Sequence, residues 1–149
     1  MKSCKVKIFI AVLVVFTAAA AFLHLGTRQE IPEHLLLIST EEKESYVDIN
    51  GLEFETVTGI RVNGKGEEIP VEAPGILVKD VLEEAEIVEF SAVIIEADDS
   101  YQAEVSKEEV DEDGKVYLLK EDDGSLRLVV FGDENSKRSV SNVVKMVVE

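Results

Sequence analysis

The chain reads as an α+β protein: a mixed or antiparallel sheet with one main amphipathic helix, preceded by an N-terminal transmembrane helix. Three observations predict this. From Tyr46 onward apolar residues recur mostly at period two, broken by Asn-Gly, Pro-Gly and Asp-Gly turn signals. One stretch, Leu77 to Ala85, switches to helical spacing. A long apolar run, Ile8 to Leu25, lies at the N-terminus.

The totals exclude several classes of function. A length of 149 residues allows one compact domain and little else. There are 31 acids against 15 bases, a formal net charge of -16, so no nucleic-acid partner is expected: a phosphate backbone needs a basic face. One Cys permits neither an internal disulfide nor a Cys-built zinc site. Two His and no Trp argue against a His-rich metal centre.

The first element is the N-terminal run. Lys2, Lys5 and Lys7 precede it with no acid among them. Ile8 to Leu25 then offers 18 residues with only Thr17 and His24 polar. As a helix this spans roughly 27 Å, near the thickness of a bilayer core, and in lipid only a helix satisfies its own backbone. The lysines hold the N-terminus in the cytoplasm, so the chain after Gly26 is exported. Two readings compete. Ala18 to Ala21 has the small residues of a signal-peptide cleavage site, and cleavage would leave the domain secreted. The run outlasts most signal-peptide cores, which favours an uncleaved signal-anchor. Cys4 precedes the apolar run, where a lipidated Cys would follow it, and reads as an unmodified thiol.

The chain then divides into a signal-anchor at 1–27, a tether at 28–44 and an exported domain at 45–149. After Gly26 there are 12 bases and 31 acids, a net charge of -19, with no Cys and no Asn-X-Ser/Thr sequon. The exported part must be held by its core. The tether carries Pro32 and the run Glu41-Glu42-Lys43-Glu44. Leu35-Leu36-Leu37-Ile38 interrupts it and reads as a strand or packed extension, since four exposed apolar residues would be costly.

Within the domain, Tyr46 to Ile49 alternates and Asn50-Gly51 signals a hairpin turn. Phe54 to Val62 is extended, and Asn63-Gly64 is a second turn. A short apolar pair surrounds Pro70, and Pro74-Gly75 punctuates. Leu77, Val78, Val81, Leu82 and Ala85 then mark one face of a helix of roughly ten residues. Ser91 to Ala97 is a buried strand, Asp98-Asp99-Ser100 a turn, and Tyr101 to Val105 a short strand. Ser106-Lys107-Glu108-Glu109 has capping-box form and starts a single helical turn. Val116 to Leu119 and Leu126 to Phe131 flank Glu121-Asp122-Asp123-Gly124 as a hairpin. Val143 to Val148 is the final strand.

Familiar chemistries fit poorly. Glu109, Asp111, Asp113 and Gly114 fall at EF-hand-like positions, but Lys120 stands where a bidentate Glu is required; a solvated turn is the better account. His24 lies in the apolar run and His34 in the tether, so the domain at 45–149 has no His for a Ser-His or Cys-His pair. Carboxylate pairs are guaranteed by chance among 31 acids. No Gly-rich loop opens a helix in the Rossmann or P-loop manner.

Three blocks carry a resemblance. Gly75-Ile76-Leu77-Val78-Lys79-Asp80-Val81-Leu82-Glu83-Glu84-Ala85 resembles a "G-v-x-L-x-D-L-L-x-x-A" helix. Ile94-Ile95-Glu96-Ala97-Asp98-Asp99-Ser100-Tyr101 resembles "V-x-V-x-S-x-D-G-Y". Leu126 to Asp133 and then Lys137 to Met146 resemble "L-R-L-V-V-P-G-D" and "x-R-x-V-K-x-V-x-x-I". In order and spacing these are similar to the sulfite-oxidase-like molybdopterin-binding domain family, over about half the chain. The resemblance implies that family's mixed α+β fold around a curved sheet. In catalytic members it also implies a molybdenum–pterin cofactor, held in part by a Cys sulfur.

The departures from that pattern shape the functional expectation. No Cys follows Cys4, and neither His lies in the matching region. Ser100 replaces Gly, Phe131 replaces Pro, and Ser141 replaces a Lys. Arg138 is retained at a position that meets the cofactor phosphate, with Ser139 beside it. The chain therefore resembles a short form lacking the metal-ligand cysteine, with no catalytic residue and no metal. Arg138 and Ser139 are the candidate cofactor-binding residues carried over from the family. The function expected is a membrane-anchored, exported binding or interaction module without cofactor. Its partners would be the membrane, through the N-terminal helix, and another membrane or exported protein. The alternatives are a molybdopterin-binding oxidoreductase subunit and an unrelated structural extracellular module.

Overall fold

Two sheets, not one, enclose the core. A computed structural model describes residues 31–149, which form one compact unit, Ile31–Glu149. The expected transmembrane segment at 1–27 lies outside the described residues. The elements are β1 (Leu35–Ser39), β2 (Glu44–Asp48), β3 (Glu55–Val62), β4 (Glu68–Leu77), α1 (Val78–Glu84), β5 (Ala92–Ala97), β6 (Gln102–Ser106), α2 (Lys107–Asp111), β7 (Val116–Lys120), β8 (Leu126–Val130) and β9 (Val143–Val148). The first sheet has the order β2-β1-β9-β5-β6 and the second β3-β4-β7-β8. β1 runs parallel to β9; the other pairings are antiparallel. The class is α+β, as the periodicities predict.

The core joins both sheets to α1. Leu36 and Ile38 of β1, Val93 and Ile95 of β5, and Met146 of β9 cluster with Leu118, Leu126 and Leu128 of the β7–β8 hairpin. Val78, Val81 and Leu82 of α1 complete it, all almost fully buried. Burying each such aliphatic side chain stabilises the fold by about 1.5–3 kcal/mol. A second, smaller cluster joins Val57, Val71, Leu119 and Val129, with Tyr117 and Phe131 packed against it. Their rings meet edge to face at 5.7 Å. Here Gly59 of β3 passes over Phe131: a Cβ at Gly59 would lie 2.5 Å from the ring.

Leu35–Ser39 is a strand, but it belongs to the domain and not to a tether. β1 is paired on both sides, to β2 and to β9. β1 therefore lies within the unit Ile31–Glu149, ahead of the boundary expected at 45. The charges on either side of the apolar patch make it look isolated; its partner β9 is at the other end of the chain.

Asn50-Gly51 does not make a hairpin. Ile49–Gly51 is a short 3-10 turn, capped by the Asp48 carboxylate, which accepts from the Asn50 N–H at 2.9 Å. Neither Asn50 nor Gly51 has the positive φ that a tight hairpin turn requires. The turn instead carries the chain from the first sheet to the second. Asn63-Gly64 does connect paired strands, β3 and β4, and the Asn63 side chain accepts from the N–H of Lys65 and of Glu67.

Pro74-Gly75 does not end a strand. β4 runs straight through Pro70 and Pro74 to Leu77. It pairs with β7 only over Gly75–Leu77, so at both prolines one side of the strand has no neighbour. A missing N–H costs no ladder bond there.

The main helix, α1, has seven residues where roughly ten were expected. Glu86 adopts φ 60, the left-handed conformation that terminates a helix. The N–H of Glu86 bonds the carbonyl of Glu83 at 2.9 Å, and that of Ile87 the carbonyl of Leu82 at 2.9 Å. That is a Schellman cap, with Ile87 and Leu82 buried together. α2 starts as expected: Ser106 and Glu109 make both hydrogen bonds of a capping box.

Candidate functional site

The sequence offers Arg138 and Ser139, so the site is built outward from them. Arg138 lies in the loop between β8 and β9. Its Nε donates to Asp133 Oδ2 at 2.9 Å and its Nη2 to Asp133 Oδ1 at 2.5 Å. This is a two-pronged grip on one carboxylate. Its Nη1 donates to Glu109 Oε2 at 2.8 Å. Glu109 is the acid of the α2 capping box, and the same Oε2 accepts from the Ser106 N–H at 3.1 Å. One guanidinium thus ties the β8–β9 loop to the start of α2.

The electrostatics follow the geometry. The hydrogen bond from Arg138 holds the Glu109 carboxyl below its ordinary range, against the opposing effect of burial; the Ser106 N–H and the positive charges of Arg138 and Lys115 assist. Arg138 is in turn pushed above its ordinary value, first by Asp133 and then by Glu109. Ser139 faces elsewhere. Its Oγ accepts from Arg127 Nη1 at 3.4 Å, and its N–H donates to the Ser136 carbonyl. Arg127 is itself paired with Glu121 at 2.6 Å.

The turn before β6 meets this loop. The Tyr101 hydroxyl donates to the Lys137 carbonyl at 2.5 Å. Ser100 has φ 70, and Gly132 has φ +93. A left-handed backbone at Ser100 is the conformation for which Gly is the default residue.

Among the clefts on the surface of the unit, three bear on a binding site. One of about 440 Å³ includes Glu53, Glu55, Asp80 and Glu84 and has no base in its wall. One of about 400 Å³ lies beside β2, with Asp48, Glu84, Glu86 and a single base, Lys43. The third, of about 600 Å³, lies between the start of β1 and the β7–β8 turn, and includes His34 and Lys120. Among the described residues no group of three or more His, Cys, Asp or Glu is arranged to hold a metal ion. Glu109, first of the EF-hand-like positions, points to Arg138 and Ser106 instead.

His34 is the residue that sequence reasoning misplaced. It belongs to the folded unit: its carbonyl accepts from the Ile49 N–H at 2.9 Å, and it lines the largest of these clefts. The signal was the adjacent apolar patch. Once Leu35–Ile38 is a paired strand, the residue before it is fixed too.

Comparison of the chain with protein-family models and with curated proteins returns no match.

Proposed function

We propose that the chain is a membrane-anchored, exported binding or interaction module of the sulfite-oxidase-like molybdopterin-domain type, without cofactor and without catalysis. One observation carries the reading: Arg138, the base at the cofactor-phosphate position, grips Asp133 and Glu109. An incoming phosphate would meet two carboxylates at that guanidinium. The matched residues do not fit a molybdenum–pterin group, since no thiolate follows Cys4 either. The left-handed Ser100 at the family's Gly position, and the contact of Tyr101 with Lys137, support kinship with the fold. The excess of acids after Gly26 favours a partner protein with a basic face.

The test uses the full chain purified from membranes. Expected are a mass of 16.4 kDa, meaning an uncleaved anchor, and no stoichiometric molybdenum. Protease added to cells with permeable outer layers should degrade the domain while the inner membrane is intact. One molybdenum per chain would establish the oxidoreductase alternative. A domain protected until the inner membrane is broken would overturn the orientation.

A further inference from the structure

We propose that the open edge of β3 is an interface between two copies of this chain, paired strand to strand and antiparallel about a twofold axis at Thr58. This rests on the reading of the chain as an interaction module and names its partner.

A strand at the rim of a sheet offers unpaired N–H and C=O groups to any second strand, and proteins blunt such rims with short strands, prolines, lysines or bulges. β2 and β6, the rims of the first sheet, have five residues each. β8, one rim of the second, also has five, and its Leu128 N–H already bonds the Val140 carbonyl at 2.8 Å. β3, the other rim, has eight residues and pairs with β4 alone. It contains no Pro and no Lys, and its register does not shift.

The phase of the ladder shows which backbone groups are open. The Asn63 N–H donates to the Glu67 carbonyl at 2.9 Å, so Arg61, Gly59, Val57 and Glu55 turn their N–H and C=O groups to β4. Thr56, Thr58, Ile60 and Val62 turn theirs outward. On β4 the outward positions before its pairing with β7 are Glu68, Pro70, Glu72 and Pro74. Two of those four have no N–H, so that side of the hairpin is closed to a new strand. The β3 side keeps all four of its donors. It also carries Ile60, which is 57% exposed.

The side chains select a second copy as the occupant. β3 has one acid, Glu55, and one base, Arg61. Among the described residues Arg127 and Arg138 are each bound by a carboxylate, and Arg61 makes no ion pair. With Thr58 opposite its own copy, Glu55 of each strand stands opposite Arg61 of the other, so the charge match occurs twice. Both matches fall at pairs without backbone hydrogen bonds, where side chains approach most closely. The same register sets each Ile60 against a Thr56 methyl and lets the outward groups of Thr56, Thr58 and Ile60 bond across the axis. A slip by two residues either way sets Glu55 opposite Gly59 or Asn63 and loses both matches.

The full chain in a neutral detergent is followed by sedimentation equilibrium at about 0.15 M salt, where charges more than about 8 Å apart are largely screened and the acidity of the two chains does not mask the contact. A concentration-dependent monomer–dimer equilibrium is expected. Arg61→Glu and Glu55→Arg should each weaken the dimer roughly tenfold, because each sets like charges opposite one another. Mixing these two variants should restore it, since both matches in the mixed pair are again between opposite charges. Thr58→Pro removes an outward N–H and no bond to β4, and should abolish the dimer. In chains carrying Cys4→Ser, Thr58→Cys should oxidise to a linked dimer, its Cα atoms lying about 5.5 Å apart. Ile60→Cys, about 14 Å from its own copy, should link only when mixed with Thr56→Cys. A monomer up to about 1 mM would overturn the interface. So would a dimer indifferent to Arg61→Glu and Thr58→Pro, or equal self-linking at positions 58 and 60. A monomer whose Thr56, Thr58 and Ile60 amides resist hydrogen exchange would mean that another part of this chain covers the edge, and would overturn it too. These outcomes are independent of the molybdenum content and topology that test the broader reading.

Discussion

Replacing Arg138 with Met removes one cation and leaves two carboxylates that were folded around it. The arginine side chain is 29% exposed, Asp133 22% and Glu109 23%. Exposed ion pairs contribute about 0–1 kcal/mol, and breaking a fully buried pair costs about 3–5 kcal/mol. Groups roughly three-quarters buried fall between, so Arg138→Met should cost about 2 kcal/mol. Arg138→Lys should recover less than half, because an ammonium cannot fork onto Asp133 and also reach Glu109. Urea denaturation followed by circular dichroism reads the loss. Tyrosine fluorescence gives a local check, as the chain has no Trp and Tyr101 bonds the residue before Arg138. The acid limb supplies an independent signature. Glu109 has a native pKa below its ordinary value of 4.5, chiefly through Arg138. As pH falls the unfolded chain takes up that proton first. The stabilisation is therefore complete above about pH 4.5 and is lost as pH falls through the lower native value. Arg138→Met should flatten this part of the stability curve. A cost under about 0.5 kcal/mol with an unchanged acid limb would refute the clamp and make Arg138 a solvated loop residue.

Three further outcomes test the fold. Leu82→Ala, at a position 1% exposed, should cost about 2–5 kcal/mol, while Glu83→Ala on the outer face should change stability by less than about 0.5 kcal/mol. Equal losses in thermal melts would mean that the helix is out of phase. Glu86→Gly should raise stability by about 0.5 kcal/mol, because it relieves a left-handed backbone and removes an acid from the negative end of α1, against the greater chain entropy of Gly; an unchanged urea midpoint would argue against the Schellman cap. Gly59→Ala should cost about 1–3 kcal/mol by pressing a Cβ on Phe131, and Phe131→Leu in the same chain should recover part of it. Strict additivity of the two changes would mean that β3 does not cross the ring.

Much of the C-terminal half was legible locally. The apolar runs in Ser91–Ala97 and Val143–Val148, the Asp-Gly turn between β7 and β8, and the Ser106–Glu109 capping box each record a choice made within a few residues. Proline and Asn-Gly signals were less dependable. Pro74 looks like a strand end because its missing N–H is costly only where a neighbour needs it. Whether a neighbour is there depends on where β7 stops, and nothing near Pro74 records that. The candidate site suffered in the same way. Arg138 in its stretch of sequence says nothing about which acids surround it. Asp133 is five residues away, but Glu109 comes from another element.

The sequence by itself determined the class, the helix face and most strand positions, because periodicity is a local record of which side of an element is buried. Tertiary structure alone decided that there are two sheets, that β1 is an inner strand, and that His34 and Lys120 share a cleft. Leu37 pairs with Lys145 across nearly the whole described chain, and that parallel match leaves no pattern in either segment. A strand's own residues specify that one face is apolar. Which remote strand covers its open edge is settled only when the whole core closes, since the backbone hydrogen bonds that join strands are the same for every residue pair.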